Sequence, residues 1–111
     1  MENPKFQIFK SSANNEYYYR LRARNGEIVL GGEGYKTKQG CQAGITSVKL
    51  NAPYDIRYDR KDSYTSYGFN LKASNGEIIG RGETYTSRAA RESGIEAVKK
   101  DAPKAPIEDN E

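Results

Sequence analysis

The chain has 111 residues, of which 35% are apolar and 30% are charged, and 18 Lys and Arg against 15 Asp and Glu give it a formal net charge of +3. This length suits one domain with a small core, and nine Tyr and three Phe make that core aromatic. The sequence has no apolar run that could span a membrane and no secretory signal, and its single cysteine excludes an internal disulfide. We therefore expect a cytoplasmic protein that makes no membrane contact.

The first predicted elements are two strands. Phe6-x-Ile8 indicates a short strand, and residues 11–15 form the connecting loop. The next strand alternates with a period of two, so one face is buried and the other is exposed. The buried face consists of Tyr17, Tyr19, Leu21 and Ala23, and the exposed face consists of Tyr18, Arg20, Arg22 and Arg24.

A β-hairpin is predicted next, because Asn25-Gly26 directly follows the strand. A type I′ turn needs positive φ at both central residues, which favours this dipeptide and makes Gly26 structural. A two-residue loop then places Leu21 opposite Leu30, and Ala23 opposite Ile28.

An α-helix is predicted from Lys38 to Leu50, with Thr37 as its N-cap and Pro53 just past its end. Gly44 lies on the apolar stripe of this helix, although glycine there costs about 1 kcal/mol relative to alanine. We interpret Gly44 as a point where the helix approaches the sheet or its twin closely.

The same elements recur at an offset of 50 residues, and 16 of 49 aligned pairs are identical. We assign repeat 1 to residues 5–53 and repeat 2 to residues 55–103 of a single domain spanning 1–111, with a C-terminal strand and a frayed tail in 104–111. Gly76 and Gly94 then repeat the structural roles of Gly26 and Gly44, and a second helix covers Arg88 to Lys100 after Ser87. Gly80 replaces Leu30, which predicts looser packing in the second half.

Four motifs recur in both repeats: Asn-Gly-Glu-Ile, Gly-Glu-x-Tyr, Gly-Ile-x-x-Val-Lys and Ala-Pro. They resemble the YegP-like family of small bacterial proteins of uncharacterised function, in its duplicated branch. The resemblance implies an α+β fold in which two tandem β-β-β-α(-β) repeats form a pseudo-dimeric single antiparallel sheet with two helices packed on one face. It also implies that terminal strands are exchanged: a strand around Tyr54 to Arg60 joins the halves, and another near Ala105 to Glu108 closes the partner edge. The family brings no catalytic residues.

The chemistry available for catalysis is narrow. The chain has no histidine, and a lone cysteine cannot build a thiolate cluster, so we expect no metal site, no cofactor and no serine–histidine or cysteine–histidine nucleophile. Cys41 becomes Arg91 in repeat 2 and is read as an inert thiol. Glu33 and Glu83 recur in register and could act as a carboxylate pair, which leaves an enzyme as one alternative.

The exposed strand face suggests binding instead, because Tyr18, Arg20 and Arg22 combine an aromatic ring with cations. Repeat 2 offers only Lys72 at the equivalent positions, and we expect Arg24 to be partly neutralised by Glu27. We predict a monomeric, non-enzymatic binding or interaction module of unknown partner. The alternative is a weak single-stranded nucleic-acid binder with one stacking ring on this face.

Overall fold

One seven-stranded sheet carries two α-helices on a single face in the computed structural model, which describes residues 3–109. The sheet order is β4-β5-β6-β3-β2-β1-β7. The strands are β1 (Lys5–Lys10), β2 (Tyr17–Arg22), β3 (Ile28–Gly31), β4 (Tyr58–Asp62), β5 (Tyr67–Lys72), β6 (Ile78–Arg81) and β7 (Ile107–Asp109). The helices are α1 (Lys38–Asn51) and α2 (Arg88–Asp101), and a short 3-10 helix, Asp55–Arg57, precedes β4. This α+β architecture agrees with the predicted fold class.

The two repeats meet in the middle of the sheet, where β3 and β6 pair in antiparallel orientation at Gly31 and Arg81. Strand β4 follows α1 in the chain but lies at the far edge, against β5. At the opposite edge, the C-terminal strand β7, which follows repeat 2, pairs with β1 from repeat 1. This pairing is parallel, so the sheet is mixed where the resemblance implied antiparallel strands throughout. The predicted frayed end, residues 110 and 111, lies outside the described residues.

The hairpins differ from the predicted two-residue turn. The amide of Ala23 donates to the carbonyl of Glu27 (2.8 Å) and the amide of Gly26 donates to Ala23 (2.9 Å), which leaves a three-residue loop. Gly26 alone has positive φ (82°) there, whereas Asn25 does not, and the side chain of Asn25 accepts a hydrogen bond from the Glu27 amide. A bulge beyond the loop restores the pairing of Leu21 with Leu30, whereas the expected pairing of Ala23 with Ile28 is wrong. Repeat 2 has the same turn, with Gly76 at φ 88°.

Both helices begin at their predicted caps. Thr37 Oγ1 accepts a hydrogen bond from the Gly40 amide (2.9 Å), and Ser87 Oγ accepts one from the Ala90 amide (3.0 Å). Each helix ends one residue beyond the sequence-based limit. Across residues 3–109, the structure contains no helix with the length and apolar character needed to cross a membrane.

Gly44 and Gly94 are close-approach sites, and the group that approaches each of them is a tyrosine. A Cβ atom on Gly94 would lie 2.7 Å from Cζ of the Tyr85 ring, and one on Gly44 would lie 2.7 Å from Cζ of Tyr35. The backbone of each tyrosine forms hydrogen bonds with the first residue of a strand. Tyr35 pairs with Tyr17 of β2, and Tyr85 pairs with Tyr67 of β5. The recurring Gly-Glu-x-Tyr motif therefore supplies the ring on which the glycine of the following helix packs.

The packing around Gly80 is tight, contrary to the expected looser second half. Gly80 pairs with Leu71, as predicted, but the volume above it is occupied from repeat 1. A Cβ atom there would lie 2.9 Å from both Leu30 Cδ2 and the Tyr19 hydroxyl oxygen. Tyr19 also donates its buried hydroxyl to the carbonyl of Ile79. Where the two repeats meet, large side chains of repeat 1 therefore pack against a glycine of repeat 2.

Candidate binding face

The sheet has a second face, which the helices leave open. On its repeat 1 half, the register of β1 and β2 places Gln7 opposite Arg20 and Phe9 opposite Tyr18. We define the first-repeat face as five of the outward side chains of these two strands, namely Gln7, Phe9, Tyr18, Arg20 and Arg22. All five are half-buried, so each presents part of its surface to solvent.

Two aromatic rings form a platform on this face. The Phe9 and Tyr18 rings stack with centroids 5.9 Å apart and planes 19° apart. The Tyr18 hydroxyl accepts a hydrogen bond from Nδ2 of Asn14 (2.9 Å). Asn14 lies in the loop between β1 and β2, where Asn15 has a positive φ of 60°. Sequence reasoning found only Tyr18. The sequence does contain a signal for Phe9: because Phe6 and Ile8 face the core, the strand alternation places Phe9 on the opposite face.

Arg20 and Arg22 lie beside this platform. Arg20 Cζ lies 4.7 Å from the Phe9 ring centroid, within cation–π range. Both arginines donate through Nε to Oε1 of Gln7, at 3.1 Å from Arg20 and 2.7 Å from Arg22, and Arg22 also donates to the Gly26 carbonyl. No carboxylate within residues 3–109 forms an ion pair with either guanidinium. A neutral amide therefore orients two cations, of which Arg22 is close enough to Glu108 to contribute, after Lys5 and Gln7, to lowering the pKa of that carboxyl.

The same face of repeat 2 has different chemistry. Lys72 lies there as predicted, but its ammonium is 3.3 Å from the carboxylate of Asp59, which also binds Lys61 at 3.0 Å. Lys61 pairs with Gly68 at the positions where Phe9 pairs with Tyr18 in repeat 1, so no stacked ring pair forms on this half within residues 3–109. The two halves share a backbone and differ in the face that they present.

Arg24 does not belong to the first-repeat face. It begins the three-residue hairpin loop, and its Nη2 lies 3.4 Å from Oδ1 of Asp101, a buried residue at the end of α2. The expected neutralisation by Glu27 is therefore wrong, because the longer loop turns Arg24 towards the helices.

Glu33 and Glu83 do not form a carboxylate pair. Each follows its strand by two residues, and because β3 and β6 are antiparallel and meet at Gly31 and Arg81, the chains run apart from that point. Four strand residues of separation correspond to about 13 Å. Glu33 instead accepts a 2.9 Å hydrogen bond from Nε of Arg81.

The remaining reactive groups are buried or scattered. Cys41 is fully buried, and this burial raises the pKa of its thiol to about 11, far from the range of a reactive cysteine. In repeat 2, the buried Arg91 replaces it and binds Asp62 and Glu92. Among residues 3–109, no three His, Cys, Asp or Glu side chains converge as a metal site would require.

Comparison with known proteins places these features in a family. A family model described as "Domain of unknown function (DUF1508)" matches the chain twice, at residues 12–59 and 62–109. The chain therefore belongs to this family, in agreement with the resemblance of its motifs, and the family is of unknown function.

Curated relatives match a segment of this chain that is about one repeat long. A UPF0339 protein encoded 5′ of the ptx operon of Stutzerimonas stutzeri is 52% identical over 58 residues, which are 52% of this chain and 51% of that protein. The UPF0339 protein YegP of Escherichia coli K12 is 41% identical over 56 residues, which are 50% of each protein. The matched segment thus spans about half the length of these two curated relatives, as one repeat does.

Two solution NMR structures share the whole fold. A UPF0339 protein from Shewanella oneidensis superposes with a TM-score of 0.89 at 38% identity, covering 96% of this chain and 91% of that protein. The E. coli yegP protein, described as a protein of unknown function, superposes with a TM-score of 0.89 at 37% identity and covers 99% and 95% of the two chains.

Proposed function

We propose that this chain is a non-enzymatic, cytoplasmic binding module whose ligand is single-stranded nucleic acid, held weakly and without sequence preference by the first-repeat face. The observation that carries the proposal is the combination of the stacked Phe9–Tyr18 platform with two arginines that form no direct ion pair within residues 3–109. Aromatic rings stack on the bases of unpaired strands, and cations bind the phosphates between them.

The chemistry of this surface favours a polyanion with exposed rings over a protein partner. A half-buried stacked ring pair supplies little apolar area for a protein interface, which usually buries about 800 Å² on each side. The arginines retain terminal guanidinium nitrogens that make no hydrogen bond within residues 3–109, and these nitrogens can donate to phosphate oxygens. An enzymatic role finds less support, since Glu33 and Glu83 are apart and the chain has no histidine.

The test is fluorescence anisotropy of a labelled oligothymidylate of roughly 12 nucleotides, a length within the usual site sizes, measured across ionic strength. Replacing Arg20 and Arg22 together by Gln is expected to reduce the magnitude of the log–log salt slope by about 1.4, because each phosphate contact contributes about 0.7 on single strands. The matched control replaces Lys61 and Lys72 by Gln, which removes the same charge from the other half of the face. It should leave the affinity within about twofold of the parent.

Stacking is tested separately with Phe9→Leu, which keeps the apolar contact and removes the ring. We expect affinity for the oligonucleotide to fall about fivefold or more, since base–aromatic stacking contributes roughly 1–3 kcal/mol per base. A parent protein that does not bind at low salt, or an arginine double variant that binds as the parent does, would reject the nucleic-acid proposal.

A further inference from the structure

The centre of the open face contains an unfilled space at the junction of the repeats. Gly31 lies between Arg20 on β2 and Arg81 on β6, and pairs with both. Nothing lies within 4 Å of the position that a Cβ atom on Gly31 would take. We call this space the junction gap. Two strand spacings separate Arg20 from Arg81, so the gap is about 10 Å wide.

The duplication makes the gap asymmetric. Arg81 is the residue that repeat 2 has at the position of Gly31, and an arginine at both positions would fill the centre of the face. Arg81 is 57% exposed and donates only its Nε to Glu33. Its two terminal nitrogens make no hydrogen bond within residues 3–109, so they stay available beside the gap.

The charges on the two sides of the first-repeat face indicate the direction of a bound strand. On the outer side, Glu108 of β7 binds Lys5 at 3.0 Å and Gln7 at 3.3 Å, which puts a carboxylate at that edge. On the inner side, the next cation beyond Arg20 is Arg81, whose Nε lies 2.9 Å from the carboxylate of Glu33. A polyanion that leaves the aromatic platform therefore meets a carboxylate already bound by Lys5 at the outer edge, whereas across the junction it meets the two terminal guanidinium nitrogens of Arg81.

We infer that a phosphate of the bound strand lies over Gly31 between Arg20 and Arg81, so that single-stranded nucleic acid crosses from the first repeat to the second through the junction gap. This inference rests on the proposed function. The two guanidinium groups approach the phosphate from opposite sides, and Glu33 competes with it for Arg81. Glycine is required at position 31 by the ligand, because the fold itself has room for a side chain there.

The inference is tested with the same labelled oligothymidylate and a pair of matched variants. Gly31→Glu places a carboxylate in the junction gap, and Gly68→Glu makes the same change at another open-face glycine, where only a backbone oxygen at 4.0 Å is near. Neither glycine has positive φ, so both variants should fold, which thermal unfolding verifies. We expect Gly31→Glu to weaken binding about tenfold or more and Gly68→Glu to weaken it about threefold or less.

Two further variants separate a phosphate contact from a general charge effect. Arg81→Gln should reduce the magnitude of the salt slope by about 0.7. Glu33→Gln should tighten binding about two- to threefold because it releases Arg81, whereas Glu77→Gln, an equal charge change in an exposed turn, should change affinity less. A purely structural role for the Glu33–Arg81 pair predicts no gain in affinity.

The outcomes separate this inference from the proposed function. One outcome would reject only the crossing. In that outcome the Phe9 and arginine variants lose affinity, Gly31→Glu binds as Gly68→Glu does, and Arg81→Gln has the salt slope of the parent. The first-repeat face would then bind the strand without leading it across the junction gap. If the parent binds no oligonucleotide at low salt, both proposals are rejected.

Discussion

At the scale of single residues, Gly44 and Gly94 show why a costly residue recurs at one position of both helices. Each leaves room for the ring of a tyrosine from the loop before its helix, and the ring lies too close for any Cβ atom. The local cost of glycine in a helix, about 1 kcal/mol, is offset by the contact that it allows.

This contact predicts the behaviour of Gly94→Leu. The variant should be less stable than the parent by roughly 1–3 kcal/mol in a denaturant titration, because its side chain must displace Tyr85, despite the better helix propensity of leucine. The control is Ser93→Leu, the neighbouring exposed position on the same helix, which should change stability little. Equal stability of the Gly94 variant and the parent would show that Tyr85 yields without cost.

The amino-acid sequence predicted most of the helices and hairpins, but it predicted fewer of the residues on the first-repeat face. The caps, prolines and periodicity of each helix are local signals, so they located α1 and α2 to within one residue. The Asn-Gly dipeptide located both hairpins but not their loop length, since a glycine with positive φ also suits a three-residue loop. Phe9 was missed because its place beside Tyr18 depends on the pairing of two strands across a loop, which the sequence does not specify.

At the scale of elements, Asp55 connects the second repeat's helix to its edge strand. Its carboxylate lies 2.9 Å from Arg60 on β4 and 2.7 Å from Lys99 on α2. The hydrogen bond from Arg60, followed by that from Lys99, lowers the pKa of Asp55 from its ordinary value of 3.8 to about 2.

This lowered pKa predicts part of the acid dependence of stability. Asp55 is harder to protonate in the folded protein than in the unfolded chain, so its contribution is present above pH about 4 and is lost as the pH falls towards about 2. Asp55→Asn should therefore flatten the fall in unfolding free energy over that interval, measured by urea titration at several pH values. The control is Glu77→Gln. If the unfolding free energy of the variant fell between about pH 4 and pH 2 as steeply as that of the parent, the contacts of Asp55 would be absent in solution.

At the scale of the whole molecule, the two repeats are complementary rather than equivalent. Leu30 and Tyr19 of repeat 1 fill the space above Gly80 of repeat 2, and β7, which follows repeat 2, completes the edge beside β1 of repeat 1. This relation was not predicted, because Gly80 alone suggests a vacancy, and only the fold shows which side chain enters it.

The complementarity predicts how separated repeats behave. Two copies of residues 1–53 would bring two Leu30 side chains into one space, and two copies of residues 54–111 would leave a void between two glycines. We expect each half alone to be unfolded or weakly dimeric and the mixture to form a folded one-to-one complex, detected by sedimentation and circular dichroism. A half that folds stably as a monomer would contradict the pseudo-dimer account.

The division of the open face into a binding half and a neutralised half is tested most directly by NMR. Amide chemical shifts of the isotope-labelled full chain are followed during titration with oligothymidylate at low salt. The account predicts shifts concentrated at Phe9, Tyr18, Arg20, Arg22, Gly31 and Arg81, with little change at the outer β4 and β5 positions Lys61, Gly68 and Lys72. Shifts spread evenly over both repeats, or centred on α1 and α2, would contradict it.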